Sequence, residues 1–204
     1  MESMIRRLGI LGGTFDPVHH GHLVAAEAAY HQLGMNPVLF VPAGIPPHKA
    51  GRPVADARHR LAMLELAIAG KPHFAISQVD LDRPGPCYTL DTLRLLRAEW
   101  GPEPRLFFVE GADSLADIGG WFQPQRIIEM CEFAVVHRPG ADVDLVRLEK
   151  RLPGLADRVH WLQMPSLEIS SSDIRARVRA GDPISYLLPA AVESYIYERG
   201  LYQR

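Results

Sequence analysis

Gly12-Gly13-Thr14-Phe15-Asp16-Pro17-Val18-His19-His20-Gly21-His22 follows the apolar run Leu8-Gly9-Ile10-Leu11 and precedes the helix-patterned Leu23-Val24-Ala25-Ala26-Glu27-Ala28-Ala29. The stretch therefore sits at a first turn from strand into helix, where an open α/β sheet holds its ligand crevice. Glycines at such a turn let the backbone come close to a phosphate. A helix N-terminus adds unpaired N–H donors and the positive end of a dipole. His19 and His22 stand three residues apart, so on one helical turn they point the same way. Two imidazoles beside a phosphate-sized hollow point to phosphoryl or nucleotidyl chemistry.

Outward from this turn, short β-like runs alternate with helical periodicity to the end of the chain. Strands are expected at Leu8–Leu11, Val38–Pro42, Phe74–Val79, Arg105–Val109, Phe133–His137 and Val159–Gln163. Helices are expected at about Leu23–Leu33, Ala57–Ala69, Leu90–Trp100, Pro124–Met130, Val143–Arg151, Ser171–Ala180 and Pro189–Arg199. Gly34, Gly70, Gly101, Gly181 and Gly200 each follow a helical run as stop signals. This alternation predicts an α/β fold with a doubly wound, mainly parallel sheet and C-terminal helices packed back on it. No polar linker divides the chain, so one domain over residues 1–204 is expected. Two Pro/Gly-rich stretches interrupt the rhythm. One is the loop 43–53, of a length that is more often functional than idle; the other, Asp80–Tyr88, leads to Thr89, a plausible N-cap, with Asp91 in the first turn behind it.

The composition sets bounds on partners. The chain has 204 residues, 47% hydrophobic and 23% charged, with a formal net charge of −2. That is the balance of a globular protein without a basic field for nucleic acid. No apolar run approaches the roughly 18 residues of a membrane span, and no secretory h-region follows Arg6-Arg7. Cys87 and Cys131 are isolated, without a C-x-x-C spacing, so a cysteine-based zinc site is not expected and no residue is assigned to a metal. A cytoplasmic protein, with neither nucleic-acid nor membrane partners, is expected. Nothing in the sequence assigns an oligomeric state.

A second phosphate-type signal lies near the other end. Ile169-Ser170-Ser171-Ser172-Asp173-Ile174-Arg175 opens a helix, where hydroxyls and free amides can hold an anion. Arg175 falls in the first turn and a half, where its guanidinium could fork onto a phosphate.

The two stretches together resemble the nucleotidylyltransferase superfamily: the first its (H/T)-x-G-H motif, the second its I-S-S/T-T/S-x-(I/V)-R signature. The resemblance implies a Rossmann-like fold that binds ATP. It assigns catalysis to His19 and His22. ATP contacts would come from Gly12, Gly13, Thr14, Phe15, His19, His22, Gly111, Asp113, Ser170, Ser171, Ser172 and Arg175. The α-phosphate would lie near the histidines and the β,γ-phosphates over the Ser170 helix. A substrate phosphate would attack in line and expel pyrophosphate, with Mg²⁺ offsetting the triphosphate charge.

Three further stretches narrow the acceptor: Gly111-Ala112-Asp113-Ser114-Leu115, Gly119-Gly120-Trp121-Phe122 and Tyr88-Thr89-Leu90-Asp91-Thr92-Leu93. With Pro46-Pro47-His48-Lys49 they resemble the bacterial nicotinate-nucleotide adenylyltransferases, in the same order over nearly the whole chain. That resemblance implies transfer of the adenylyl group of ATP to nicotinate mononucleotide, a late step of NAD biosynthesis. Trp121 would stack on the pyridine ring and Thr89 would mark the amides that hold its carboxylate. Lys49 and Arg138 would sit near phosphate. Cys87 stands where those proteins commonly have serine. Two alternatives are kept. A phosphopantetheine adenylyltransferase shares the first motif but lacks the T-x-D-T, G-x-D and Trp set. A non-catalytic nucleotide sensor has no need of both histidines.

Overall fold

The computed structural model describes residues 7–44, 54–137 and 143–203. Its elements are β1 (Arg7–Gly13), α1 (His20–Leu33), β2 (Val38–Pro42), α2 (Ala57–Ile68), β3 (Phe74–Ile76), α3 (Thr89–Trp100) and β4 (Arg105–Gly111). There follow α4 (Ala112–Ala116), α5 (Pro124–Met130), β5 (Glu132–Val136), α6 (Leu145–Arg151), β6 (Val159–Leu162), α7 (Ser171–Ala180) and α8 (Ala190–Glu198). The strands form one parallel sheet in the order β3-β2-β1-β4-β5-β6. The chain winds outward from β1 to β3, then returns to lay β4 on the other side of β1. That reversal opens a crevice beyond the carboxyl ends of β1 and β4.

Strands buried on both faces are apolar throughout rather than alternating. β2 and β5 have no exposed residue, and β1 and β4 are buried through their centres. Side-chain alternation then divides the core in two. On one face Leu11, Phe40, Phe107 and Val109 pack with Ala25, Ala26 and Ala29 of α1, Met63 and Leu64 of α2, Ile174 of α7 and Val192 of α8. On the other, Leu8, Ile10, Phe108 and Phe133 meet Leu90 and Leu93 of α3, Ile127 of α5 and Leu148 of α6. The three alanines give α1 a flat face, so its N-terminus lies close over the end of β1.

The doubly wound parallel sheet is as the sequence predicts; the short α4 is an added element, and the other differences lie at element ends. α1 starts at His20 instead of Leu23, because the polar histidine turn is itself helical. β3 stops at Ile76, short of Val79; it pairs β2 only as far as Phe40, and the chain then turns through Asp80. The N-cap of α3 is Tyr88, with extended backbone and no capping side chain, and Thr89 is the first helical residue. The predicted stop at Gly34 does cap α1 in the left-handed region (φ 60°), where a Cβ would be strained.

One buried carboxylate ties the first turn to three distant parts of the chain. Asp16 is only 2% exposed. Its Oδ1 accepts from the Tyr202 hydroxyl (2.7 Å) and from the Ala55 amide (3.3 Å), and its Oδ2 lies 3.7 Å from Arg175 Nη1. Arg175 Nη1 also donates to the Asp16 carbonyl (2.6 Å). Arg60 of α2, likewise 2% exposed, donates to the Thr14 carbonyl (2.8 Å) and the Ala55 carbonyl (3.0 Å). Burial works against the charge of Arg60, and Asp16 is the leading group that supports it. Burial and the neighbouring Asp16 hold the proton on Tyr202, pushing its phenol well above the usual range. The cluster thus carries fixed charges and a fixed donor direction. Asp16→Asn keeps an acceptor oxygen but removes the charge facing two guanidinium groups. It is expected to lower stability by about 3 kcal/mol, read as a fall in the urea midpoint at neutral pH; an unmoved midpoint would exclude the charge as the stabilising element.

Candidate active site

A cavity of about 620 Å³ occupies the crevice beyond β1 and β4. This size lies within the ordinary range for small-molecule sites. Both ends of the sequence contribute walls: the β1–α1 turn on one side and the segment 164–170 leading into α7 on the other. A third wall combines the start of α3, the end of β4 and Trp121.

The first wall is built around the two histidines. Their rings stack with centroids 3.7 Å apart and planes inclined by 28°. The pair is unequal: His22 lines the cavity, whereas His19, the N-cap of α1, is 3% exposed and lies behind it. The His19 amide donates to His22 Nδ1 (3.3 Å). A neutral imidazole that accepts at Nδ1 carries its proton on Nε2. His22 is therefore fixed as an Nε2–H donor. Phe15, buried with φ 50°, packs its ring edge-on to His22 at 5.0 Å and holds the imidazole from the other side.

Gly21 explains the glycine within the histidine turn. A Cβ there would lie 3.0 Å from two atoms of the His19 ring, so only glycine lets the ring lie over the helix start. Gly12 and Gly13 also serve packing. A Cβ on Gly12 would lie 3.2 Å from the Phe108 ring, and one on Gly13 would lie 3.0 Å from that of Phe15. With Thr14, both glycines line the cavity. The free amide of His20 that a helix start leaves over is taken by the Leu187 carbonyl (3.0 Å), so the segment before α8 fixes α1 in turn.

The second phosphate-type motif is placed as the sequence predicts, yet its side chains are occupied. Ser170 is the N-cap of α7 and accepts from the Asp173 amide (3.0 Å). Ser171 donates to the Pro17 carbonyl (2.9 Å), and Arg175 donates to Asp16 and to Ser172 Oγ (3.2 Å). Arg175 thus clamps one motif to the other, where the sequence suggested a fork onto phosphate. Only Ser170 of this group lines the cavity.

On the third wall, α3 begins without a side-chain cap, and Tyr88 and Thr89 line the cavity there. The start is braced from below. Thr92 donates to both oxygens of the buried Asp80 (2.9 and 2.8 Å), and Arg83 pairs with Asp80 at 3.0 Å. Cys87 links the same segment to the end of β2. Its sulfur accepts from the Gly44 amide (3.2 Å) and its S–H donates to the Asp80 carbonyl (3.4 Å). Trp121 lines the cavity and meets Phe108 edge-on at 5.8 Å; beside it, Phe122 packs on Tyr88 at 4.9 Å. Gly111 also lines the cavity, but Asp113 is exposed on α4, outside the lining. Lys49 and Arg138, with Pro46-Pro47-His48, lie outside the described residues.

Sequence reasoning missed three contributors. The segment 164–168 has no periodicity to mark it, and Asp80 was visible only as part of a turn-rich stretch. Glu110, one residue before the G-x-D turn, reads as a strand residue in an apolar run, yet it is a buried carboxyl in the cavity wall.

The cytidylyltransferase-like family model matches residues 10–177 of this chain. A probable nicotinate-nucleotide adenylyltransferase of Thermomicrobium roseum is 53% identical over 97% of this chain and 92% of its own length. One from Acidothermus cellulolyticus is 48% identical over 100% of this chain and 98% of its own. Among solved structures, the nicotinic acid mononucleotide adenylyltransferase of Plasmodium falciparum complexed with NaAD superposes with a TM-score of 0.78, covering 97% of each chain at 22% identity. That last likeness establishes the fold, while the close relatives and the family model establish descent. The chain belongs to the nicotinate-nucleotide adenylyltransferases of the cytidylyltransferase-like family.

Proposed function

We propose that the protein transfers the adenylyl group of ATP to nicotinate mononucleotide, giving nicotinate adenine dinucleotide and pyrophosphate in NAD biosynthesis. The observation that carries this reading is one cavity with three walls. It joins the His22 donor, the start of α7 and the uncapped start of α3 beside Trp121. In this reading an oxygen of the mononucleotide phosphate forms a bond to the α-phosphorus. The bond from that phosphorus to the β-bridging oxygen breaks, and pyrophosphate leaves with the electron pair. The attacking phosphate is already ionised, so no general base is required.

The protein's part is position and charge. His22 Nε2–H donates to an α-phosphate oxygen as negative charge builds there, and His19 holds His22 in that tautomer. Amides at the start of α7 receive the β,γ-phosphates, and Gly12, Gly13 and Thr14 give the backbone close approach. Gly111 and Asp113 serve the ATP side near the ribose. Ser171, Ser172, Arg175 and Phe15 act from behind, by holding the two motifs together. Trp121 stacks on the pyridine ring, and the first amides of α3 at Thr89 receive its carboxylate. Lys49 and Arg138 are assigned to the phosphate of the mononucleotide.

A divalent ion, Mg²⁺ in this proposal, enters on the triphosphate. The described residues hold no group of three or more His, Cys, Asp or Glu side chains placed to bind a metal. In this proposal phosphate oxygens and water would supply most of its ligands, and the ion would offset triphosphate charge. No helix among the described residues is long and apolar enough to cross a membrane. The cytoplasmic location expected from the sequence is retained as part of the proposal.

Pyrophosphate release with ATP and Mg²⁺ tests the acceptor. Nicotinate mononucleotide is expected to support turnover well above nicotinamide mononucleotide and phosphopantetheine; turnover with phosphopantetheine alone would overturn the pyridine pocket. His22→Ala is expected to lower kcat by about 10²–10³-fold with ATP binding largely kept, as for loss of one donor to a transition state. Turnover within a few-fold of the parent would displace the reacting phosphate from His22. Trp121→Ala is expected to raise the KM for nicotinate mononucleotide by about tenfold or more, as loss of a stacking partner does. A change confined to ATP would remove Trp121 from the pyridine side.

A further inference from the structure

Glu110 is a buried group that the mechanism above leaves unused. It sits near the end of β4, is 7% exposed, and belongs to the wall of the cavity. Neither carboxyl oxygen has a hydrogen-bond partner of good geometry among the described residues; the Ser114 hydroxyl of α4 is near enough only to favour the charged form. A buried carboxyl left in this state is costly. Strand alternation puts Glu110 on the same face of the sheet as Leu106 and Phe108, the face that carries α3 and Trp121. It is therefore a missing-partner site on the pyridine side of the cavity.

The N-ribosylated pyridine ring of a nicotinate mononucleotide carries a permanent positive charge. The described groups around the pyridine side supply donors to its carboxylate and an aromatic face to its ring, but no other buried anion on that wall. Asp80 already has Arg83 and Thr92, and Asp113 on α4, Asp117 just after it and Glu168 are exposed. We propose that Glu110 is the counter-charge that recognises the cationic pyridinium ring of the acceptor nucleotide. This rests on the acceptor reading above and deepens it: the zwitterionic ring would be held at both signs, its carboxylate by the start of α3 and its cation by Glu110 and Trp121.

The Glu110 carboxyl has the matching titration. Burial pushes the Glu110 carboxyl up to about 8. The nearby Cys131 thiol is raised by its own burial and stays neutral; the same cavity wall also carries the titratable groups of His22, Asp80, Cys87, Tyr88, His137 and Glu168. A bound cation lowers the Glu110 pKa, so binding near neutral pH releases a proton, and affinity for the mononucleotide rises with pH until about 8. Folding has the opposite slope. The folded pKa lies above the unfolded value of 4.5, so the unfolded state loses its proton first. Stability is then lost as pH rises from about 4.5 to about 8 and levels beyond.

Glu110→Gln separates these effects. Calorimetric titration with nicotinate mononucleotide, in buffers of different ionisation enthalpy, is expected to show proton release for the parent and none for the variant. The variant should bind this ligand about tenfold more weakly, with ATP affinity unchanged. It should also be more stable than the parent at pH 8, which shows that it folds. The mononucleotide with a reduced, uncharged dihydropyridine ring is expected to bind parent and variant alike. Equal loss for both ligands would assign Glu110 to the sugar hydroxyls and overturn the proposal, as would unchanged affinity for nicotinate mononucleotide. A parent that turns over only another acceptor would instead overturn the acceptor reading itself.

Discussion

Burial of the Asp16 carboxylate is the constraint on which the site depends. A charge removed from water must be met by partners of fixed direction, and here these come from α2, α7 and the segment after α8. Meeting it forces the loop after β1 into one path. That path puts Phe15 against His22, His22 toward the cavity and the Thr14 carbonyl onto Arg60. Removing water from Asp16 and Arg60 also stiffens the cluster, since neither has solvent as an alternative partner. The histidine turn therefore gains its order from side chains outside the cavity lining.

The fold was largely legible because parallel strands buried on both faces leave continuous apolar runs, and because most helices end at a glycine or a turn. Val38–Pro42, Pro124–Met130 and Ser171–Ala180 came out with the bounds expected from the sequence. Short-range signals did less well where tertiary contacts set the end of an element. α1 reaches back to His20 because Leu187, far along the chain, accepts its first amide. Both phosphate-type motifs were legible as turns into helices, but the jobs of their side chains were not. Nothing local says that Arg175 will find Asp16, or that Gly13 makes room for Phe15 rather than for a ligand. Glu110 is the converse case: a strand pattern reads it as one more interior residue, and only the placement of its neighbours shows that no well-aligned partner among the described residues awaits it.

The cavity is organised by sign. Helix starts at α1, α3 and α7 converge on it, each turning the positive end of its dipole to groups that are phosphates or a carboxylate in the proposed substrates. Such a pocket attracts anions without net protein charge, which agrees with a chain whose formal charge is only −2. Within this positive surround Asp80 is met by Arg83 and Thr92, whereas the buried Glu110 carboxyl is out of character, and its setting on the Phe108 and Trp121 side gives it a local purpose.

The bond between Tyr202 and Asp16 spans 186 residues. At ordinary ribosomal rates that separation corresponds to about ten to forty seconds of synthesis. Through that interval the histidine turn of a nascent chain lacks the Tyr202 hydroxyl, and for most of it the guanidinium of Arg175, that its carboxylate needs in order to leave water. The earliest motif to emerge is thus among the last to set. A partly made chain carries the sequence of a nucleotide site but not yet the site.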